Sequence, residues 1–142
     1  MMNILIIDDE HSICDLVVLI LESKGYKVKS AQTVEAGSKL YKEETFDLIL
    51  LDLRIGSCFG LDLLPNILEH NPDQIVSIIT ANASIDHALH AIKLGAFDFI
   101  TKPFGKDQLL ALVLKAQREK ERQKMIYQLQ EKIKMLSDQL HS

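Results

Sequence analysis

Residues 46–52 read Phe46-Asp47-Leu48-Ile49-Leu50-Leu51-Asp52, with four large aliphatic residues in a row before the final aspartate. A continuous apolar run of this length, ended by polar residues, is typical of a strand that is buried on both faces. Strands of this kind lie in parallel sheets that carry helices on either side. The stretch therefore favours an α/β domain built around a parallel sheet.

The rest of the chain repeats the alternation of strand and helix. Short apolar runs predict four more strands, at residues 4–7, 26–30, 75–80 and 97–101. Apolar residues spaced three and four apart predict helices between the strands, most clearly over residues 13–21. Gly25 and Gly95 stand where helix C-caps are expected. We therefore predict a (βα)5 fold, a doubly wound parallel sheet, with an extended helix at its C-terminal end.

Composition excludes several classes of protein. Apolar residues make up 47% of the 142 residues, which excludes a wholly disordered chain, and the net charge of −4 disfavours bulk binding to nucleic acid. The two cysteines are too few for a disulfide scaffold, so a reduced environment is expected. No apolar run approaches the ~20 residues that span a bilayer, and the N-terminus does not read as a signal peptide. We expect a cytoplasmic protein that does not contact a membrane.

Polar and charged side chains follow four of the predicted strands. They are Asp8 and Asp9 after the first strand, Asp52 after the third, Thr80 at the end of the fourth and Lys102 at the end of the fifth. If the sheet is wound in the order 2-1-3-4-5, these strand ends lie side by side. Three carboxylates in one pocket repel each other unless a cation is present. Hard oxygen ligands suit Mg²⁺ better than zinc.

The position of each carboxylate suggests its role. Asp52 stands alone after the most buried strand, so it is the candidate nucleophile that would accept a phosphoryl group as an aspartyl phosphate. The paired Asp8 and Asp9 are candidate metal ligands, and the backbone carbonyl of Arg54 could complete the metal shell. A metal ion and an ammonium group together stabilise charge on a phosphoryl group in transfer.

Thr80 and Lys102 complete the predicted site. Thr80 would hydrogen-bond a phosphoryl oxygen, and Lys102 would pair with the same group. Taken singly, each residue has a simpler explanation: Asp9 as a helix N-cap, Thr80 as the end of a strand and Lys102 as a solvated cation. Their common position at the carboxyl ends of strands favours a phosphoacceptor site over four unrelated residues.

Four stretches of the chain together resemble a known family, the receiver domain of bacterial two-component response regulators. They are Ile4-Leu5-Ile6-Ile7-Asp8-Asp9-Glu10, Asp47-Leu48-Ile49-Leu50-Leu51-Asp52-Leu53, Ile79-Thr80-Ala81 and Gly95-Ala96-Phe97-Asp98-Phe99-Ile100-Thr101-Lys102-Pro103-Phe104. The resemblance covers about residues 3 to 114. It implies a flavodoxin-like fold and phosphorylation of Asp52 by a sensor histidine kinase. It also implies Mg²⁺ held by Asp8, Asp9 and the Asp52 side chain. A receiver assists its own phosphorylation and dephosphorylation but is not otherwise an enzyme.

The resemblance also implies a switch. Thr80 would move toward the phosphoryl group and Phe99 would turn inward, and the bond between Lys102 and Pro103 would be cis. We expect the change to reach the face formed by the fourth helix, the fifth strand and the fifth helix. A homodimer would use this face.

Two details refine the resemblance. Residues 80–84 and 91–96 look most like receivers of NtrC/DctD-like transcription activators, in which an ATPase domain and a DNA-binding domain follow the receiver. The chain has no Walker-type loop, so an effector domain would lie outside it. Residues 53–60 depart from the family, since a Met-Pro pair that the family often has is missing and Cys58 is present. The departure puts the conformation of this loop in doubt.

The last part of the chain has a different pattern. Residues 105–142 carry 8 Lys and Arg against 5 Asp and Glu, whereas residues 1–104 carry 8 against 15. Apolar residues recur at heptad spacing in Ile126, Leu129, Ile133, Leu136 and Leu140. We predict a continuous helix over residues 106–140, a receiver over residues 1–114 and a coiled-coil linker or dimerisation segment over residues 115–142. A single amphipathic helix that folds back or frays is the alternative. Direct binding of nucleic acid by this segment is not expected.

Other functions remain as alternatives. A stand-alone receiver without a DNA-binding output would carry the same site. An Asp-nucleophile phosphohydrolase needs an acid two residues after the nucleophile, where Arg54 stands. A flavin-binding module needs a phosphate loop where Asp8 and Asp9 would repel phosphate. A purely structural dimerisation protein would explain the heptads only. His87 and His90 are spaced for a metal site, but a surface role is favoured.

Overall fold

The computed structural model describes residues 2–81 and 85–141 of the chain. The element bounds are β1 Asn3–Ile7, α1 His11–Glu22, β2 Lys27–Ala31, α2 Val34–Glu43, β3 Leu48–Asp52, β4 Arg54–Ile55, β5 Cys58–Phe59, α3 Gly60–His70, β6 Ile75–Ala81, α4 Ile85–Lys93, β7 Asp98–Lys102 and α5 Lys106–Leu140. All five predicted strands are present. Residues 82–84, which belong to the stretch that resembles transcription activators, lie outside the described residues.

The main sheet has five parallel strands in the order β2-β1-β3-β6-β7. Because β4 and β5 form a separate two-stranded sheet, this order confirms the predicted 2-1-3-4-5 winding. The order reverses between β1 and β3, which lie side by side at the centre. Residues at the carboxyl ends of β1, β3, β6 and β7 therefore share one edge, as the doubly wound fold requires.

Both faces of the sheet are buried, as the continuous apolar runs predicted. Along β3, Ile49 and Leu51 join one core cluster, which includes buried residues of α2, α3 and α4. Leu48 and Leu50 join the other cluster, which includes buried residues of α1 and α5. Since successive side chains of a strand point to opposite faces, all four are fully buried.

Local signals in the sequence set the ends of several elements. Thr33 caps α2, where its hydroxyl accepts a hydrogen bond from the Ala36 N–H at 3.1 Å. Gly25 and Gly95, which follow α1 and α4, have φ angles of 91° and 115°. Glycine adopts this left-handed conformation without a steric penalty. The two glycines therefore end their helices as expected.

The segment that departs from the family pattern forms a hairpin. β4 and β5 pair antiparallel, with Arg54 opposite Phe59 and Ile55 opposite Cys58. Gly56 in the two-residue turn has a φ angle of 62°. The next glycine, Gly60, begins α3 where a Cβ atom would collide with the backbone oxygen of Asp52. This close contact fixes the end of the hairpin against the end of β3.

The helix α5 runs without interruption over 35 residues. At a rise of 1.5 Å per residue it is about 50 Å long. Its first half packs on the sheet, and three polar contacts extend the packing: Tyr26 Oη donates to Gln117 Oε1 at 2.7 Å, Lys120 Nζ lies 3.7 Å from Asp47 Oδ1, and Gln123 Nε2 donates to the Asp73 carbonyl at 3.4 Å. Residues 124–141 are all exposed. The helix therefore leaves the body of the protein and does not fold back.

Within residues 2–81 and 85–141, none of the helices combines the length and the apolar character needed to cross a membrane.

Candidate phosphoacceptor site

The carboxyl edge of the sheet brings the predicted site residues together. Asp52 is the last residue of β3 and Lys102 the last of β7, while Asp8 follows β1 directly. The strand register places Asp52 opposite Ile79, and the neighbouring pairs join Thr80 to Thr101. The open pocket at this edge has a volume of about 400 Å³ and is lined by Asp9, Glu10, Asp52, Arg54, Thr80, Ala81, His87 and Lys102.

Lys102 lies at the centre of the acidic groups. Its Nζ atom is 2.8 Å from Asp8 Oδ2, 2.9 Å from Glu10 Oε1 and 3.2 Å from Asp52 Oδ2. The peptide bond between Lys102 and Pro103 is cis, which confirms the geometry that the family resemblance implied. The three carboxylate contacts hold the ammonium group inside the site, and the Lys102 side chain is only 12% exposed.

The carboxylates of the site are poorly solvated. Asp8 is fully buried and Asp52 is only 6% exposed. Burial, followed by the negative charge of Asp8, raises the pKa of Asp52 to about 6, although Lys102 and the Arg54 N–H oppose the shift. Burial would lower the pKa of Lys102, but its hydrogen bonds to Asp8 and Glu10 raise it. Lys102 is therefore a permanent cation beside a carboxylate that is costly to ionise.

The donor set fits a hard divalent cation. Carboxylate oxygens of Asp8, Glu10 and Asp52 lie within 4.8 Å of one another. Asp8 Oδ2 is buried and lies 2.8 Å from the Lys102 ammonium group. A buried carboxylate oxygen beside further carboxylates has the chemistry of an Mg²⁺ ligand.

Asp9 and Glu10 are arranged differently from the expectation. Asp9 lines the pocket, but its Oδ2 atom accepts a hydrogen bond from the Gly56 N–H at 2.8 Å and is not in the close oxygen cluster. Glu10, the third acidic residue after β1, takes that place because its longer side chain reaches Lys102. Glu10 was not among the predicted metal ligands. The run of three acidic residues from Asp8 to Glu10 is the sequence signal that could have identified it. A ligand role for Asp9 remains a prediction.

Of the other predicted residues, Arg54 and Thr80 line the pocket, whereas Phe99 is not among the lining residues. The Arg54 N–H donates to Asp52 Oδ1 at 3.2 Å, and a metal contact through the Arg54 carbonyl remains a prediction. Thr80 is buried in the pocket wall. Phe99 is half-buried on β7 and packs against the core on the α4 side of the sheet. The switch roles of Thr80 and Phe99 remain predictions.

The structure also contains residues that sequence reasoning missed. His87 is an exposed residue, as favoured, but its position at the pocket was not predicted. Cys14 lies fully within the protein next to the site, where its thiol donates to the Asp8 carbonyl at 3.3 Å. Burial raises the pKa of the Cys14 thiol, so it is a structural residue and not a nucleophile.

Comparison with known proteins gives a consistent result. The family described as "Response regulator receiver domain" matches residues 4–114. Response regulator protein PilR of Pseudomonas aeruginosa is 41% identical over 114 residues, which are 80% of this chain and 26% of the relative. The alginate biosynthesis transcriptional regulatory protein AlgB of the same species is 33% identical over 140 residues, which are 99% of this chain and 31% of the relative. The chain thus spans roughly a quarter to a third of the length of these relatives.

Solved structures agree with the sequence relatives. The crystal structure of NtrX from Brucella abortus in complex with ADP has a TM-score of 0.86 at 31% identity, over 90% of this chain and 30% of that one. The beryllofluoride-activated NtrC4 receiver domain dimer has a TM-score of 0.80 at 37% identity, over 84% of this chain and 99% of that one. The chain belongs to the response regulator receiver domain family, and its relatives are NtrC-family regulators of two-component systems.

Proposed function

We propose that this chain accepts a phosphoryl group on Asp52 from a sensor histidine kinase in the cytoplasm. The observation that carries the proposal is the position of the Asp52 carboxylate. It is nearly buried at the pocket, with the Arg54 N–H on one oxygen and Lys102 Nζ on the other. Since the pKa of Asp52 is about 6, the carboxylate is ionised and nucleophilic above neutral pH.

The transfer is a simple exchange of bonds. A P–O bond forms to a carboxylate oxygen of Asp52 while the P–N bond of a kinase phosphohistidine breaks. The electron pair of the broken bond stays on the imidazole nitrogen, which then takes up a proton. Lys102 Nζ, 3.2 Å from Asp52 Oδ2, is placed to stabilise charge on the phosphoryl oxygens. The Thr80 hydroxyl is the candidate donor to a phosphoryl oxygen once the group is attached.

Mg²⁺ fits this site through Asp8, Asp9, the Asp52 side chain and the Arg54 carbonyl, with Glu10 as a further candidate ligand. When bound, it would supply positive charge that stabilises the transferring phosphoryl group. The residues themselves bring a net charge of −3 from four carboxylates and Lys102. Without a cation, that charge disfavours the approach of any phosphate-bearing donor.

A direct labelling experiment tests the phosphoacceptor. The full chain is incubated with Mg²⁺ and acetyl phosphate, and its intact mass is measured. We expect one added phosphoryl group in the wild type and none in Asp52→Asn. Asp47→Asn is the matched control, because Asp47 precedes the same strand at the opposite edge of the sheet. Unlabelled wild type, or equal labelling of Asp52→Asn, would refute the proposal.

We further propose that the output is dimerisation of the regulatory part of a transcription activator. The face of α4, β7 and α5 has exposed apolar side chains on α4, where Leu89 is 51% and Ile92 is 37% exposed. A similar receiver, that of NtrC4, is described as a dimer when beryllofluoride-activated. The apolar groups of this face therefore suit a second copy of the chain. The kinship with PilR and AlgB supports the transcriptional output.

The outer half of α5, residues 124–140, would continue the same dimer as a coiled coil. The heptad residues Ile126, Leu129, Ile133, Leu136 and Leu140 are 39–85% exposed, so the apolar stripe lacks a partner within the described chain. Burial of such a stripe against a second copy would stabilise a parallel pair of helices. The division into a receiver over residues 1–114 and a dimerisation segment over residues 115–142 remains a proposal, and in the structure α5 stays in contact with the body as far as Gln123.

Sedimentation of two matched variants tests the tail. Ile133→Ser removes an apolar group from the seam, whereas Gln128→Ser changes a neighbouring exposed position outside it. Since burial of one isoleucine in each chain contributes about 2–3 kcal/mol, we expect Ile133→Ser to weaken the dimer by roughly a thousandfold or more. Gln128→Ser should leave it unchanged. Wild type that stays monomeric at high concentration, with and without phosphorylation, would exclude the coiled coil.

A further inference from the structure

Besides Lys102, two nitrogen-bearing side chains line the pocket that holds Asp52. Arg54 comes from β4 and His87 from α4, and both are exposed residues that line the pocket. The ring of Phe59 contacts both of them. The Arg54 Cζ atom lies 6.0 Å from the centre of the Phe59 ring, and the His87 ring centre lies 6.2 Å from it at a tilt of 55°. We call Arg54, Phe59 and His87 the rim.

The hairpin fixes the rim relative to Asp52. Arg54 and Phe59 are opposite each other in the antiparallel pair, so their side chains are neighbours. The Arg54 N–H is bonded to Asp52 Oδ1, and the residue after Phe59 is Gly60, which packs on the Asp52 backbone oxygen. Phe59 is 47% exposed, so part of its ring lies at the protein surface beside the pocket.

The negative charge of the pocket suggests a role for the rim. A donor that carries phosphate must approach four carboxylates and one lysine, a net charge of −3 that a divalent cation reduces only to −1. Arg54 supplies positive charge at the pocket, and the His87 ring can donate an N–H to a phosphate oxygen. Groups of this kind raise the local concentration of an anionic ligand.

We infer that Phe59 is a positioning residue for the phosphoryl donor: its ring holds Arg54 and His87 at the pocket, where their N–H groups bind the donor's phosphate oxygens. The inference rests on the proposed phosphorylation of Asp52. It adds that the rim residues favour some phosphoryl donors over others. The rim acts before the bond exchange. It therefore affects the binding of the donor and not the transfer itself.

Two small donors of different charge test the rim. In each reaction the bond from phosphorus to the leaving group breaks, a P–O bond to Asp52 forms, and the leaving group departs with the electron pair. The leaving group is acetate for acetyl phosphate and ammonia, after protonation, for phosphoramidate. Acetyl phosphate is a dianion near neutral pH, whereas protonated phosphoramidate is a monoanion, so loss of the rim should affect the former more.

The variants are Phe59→Leu and His87→Ala, measured by the rate of labelling against donor concentration at fixed Mg²⁺. We expect the half-saturating concentration of acetyl phosphate to rise about twofold to tenfold, in line with the strength of one cation–π contact. The maximal rate should be unchanged, and the effect on phosphoramidate should be smaller. Phe59→Tyr should restore the wild-type value. His90→Ala is the control, since His90 lies on the same helix but does not line the pocket.

The outcomes separate this inference from the proposed function. Wild type that is labelled on Asp52, with both variants folded and kinetically unchanged, would overturn the rim alone. An equal rise in the half-saturating concentration of both donors would also overturn it, and so would a lower maximal rate alone. Either result is what a general structural defect would produce. Wild type that no donor labels would overturn the proposed function and the rim together.

Discussion

The carboxyl edge of the sheet and the outer half of α5 differ in how far the protein surrounds its own side chains. At the edge, Asp8 is fully buried, Asp52 is 6% exposed and Lys102 contacts three carboxylates. Along the outer half of α5, Ile133 is 66% and Leu140 is 85% exposed. The edge buries charged side chains, whereas the outer half of α5 exposes apolar side chains to solvent.

Each region has an unfavourable feature that a bound ion or a second apolar surface would remove. The edge has an excess of negative charge in a poorly solvated place, which a bound divalent cation would compensate. The outer helix has apolar surface in water, which another apolar stripe would cover. The inner half of α5 connects the two, since it packs on the same sheet whose strands end at the pocket. The difference matches the proposal of a chemical input at one region and an assembly output at the other.

The largest expected effect comes from the same substitution made in both regions. Leu50→Ala, in the fully buried centre of β3, should lower the free energy of unfolding by about 2–5 kcal/mol. Leu136→Ala, on a helix side chain that is 52% exposed, should lower it by less than about 0.5 kcal/mol at protein concentrations where the chain is monomeric. Urea unfolding measures both. Similar losses would mean that the outer helix packs on the body and that the comparison is wrong.

The next effect concerns the contact that fixes the hairpin to the site. Gly60→Ala would place a methyl group against the backbone oxygen of Asp52, so we expect a loss of about 1–3 kcal/mol and slower labelling of Asp52. Gly105→Ala is the matched control, because a Cβ atom there meets no atom within 4 Å. It should change the stability by less than about 1 kcal/mol. Equal effects of the two alanines, measured by thermal unfolding, would contradict the proposed close packing.

A smaller effect follows from the charge of the pocket. The pKa of Asp52 in the folded protein, about 6, lies above its ordinary value of 3.8, so the ionised group destabilises the fold. The stability that protonation gives is complete below pH 3.8 and is lost as the pH rises through about 6. Without Mg²⁺, Asp52→Asn should therefore be more stable than wild type by about 1–2 kcal/mol at pH 8, after allowance for solvent screening. The difference should vanish at pH 4.

Asp47→Asn provides the comparison for that measurement. Asp47 lies at the other edge of the sheet, where its side chain accepts a hydrogen bond from the Asn3 N–H at 2.8 Å. Its replacement should not stabilise the protein at any pH. Added Mg²⁺ should narrow the difference between wild type and Asp52→Asn, because the ion compensates the charge. If Asp52→Asn is less stable than wild type in metal-free solution at pH 8, the charge account of the pocket is wrong.

The smallest expected effect tests whether a buried polar atom elsewhere in the sheet also lowers the stability of the protein. Ser77 is fully buried in β6, and its hydroxyl has no hydrogen-bond partner among the described residues. Ser77→Ala should therefore stabilise the protein by about 0.5–1 kcal/mol. Ser23→Ala is the control, because the Ser23 hydroxyl donates to the Ile20 carbonyl at 2.6 Å on the surface. A loss of stability in Ser77→Ala would show that the hydroxyl is satisfied.

Much of the fold could be predicted from the sequence because its signals are local. The apolar runs predicted the five strands, and glycines marked the ends of α1 and α4. The long C-terminal helix was predicted over residues 106–140 and is observed over Lys106–Leu140. Strand ends shifted by one or two residues, since hydrogen bonds between strands, and not composition, decide where pairing stops.

The site was only partly predictable, because its details depend on side-chain reach. That Asp8, Asp52, Thr80 and Lys102 share one edge follows from the winding of the sheet. The exchange of Asp9 for Glu10 near Lys102 depends on one extra methylene group and on the Gly56 N–H that binds Asp9. The hairpin that provides this N–H lies in the segment that departs from the family pattern. Its Gly56-Ser57 turn is a local hairpin signal that the sequence reasoning did not use, whereas the contact of Phe59 with His87 has no such signal.

The most direct test of the central claim is chemical mapping of the phosphorylated residue. After incubation with acetyl phosphate and Mg²⁺, borohydride reduces an aspartyl phosphate to homoserine, and trypsin then releases residues 43–54, which contain both Asp47 and Asp52. Fragmentation of this single peptide should show homoserine at position 52 and an unchanged aspartate at position 47. Homoserine at position 47, or at neither position in protein that carries the added phosphoryl mass, would contradict the account.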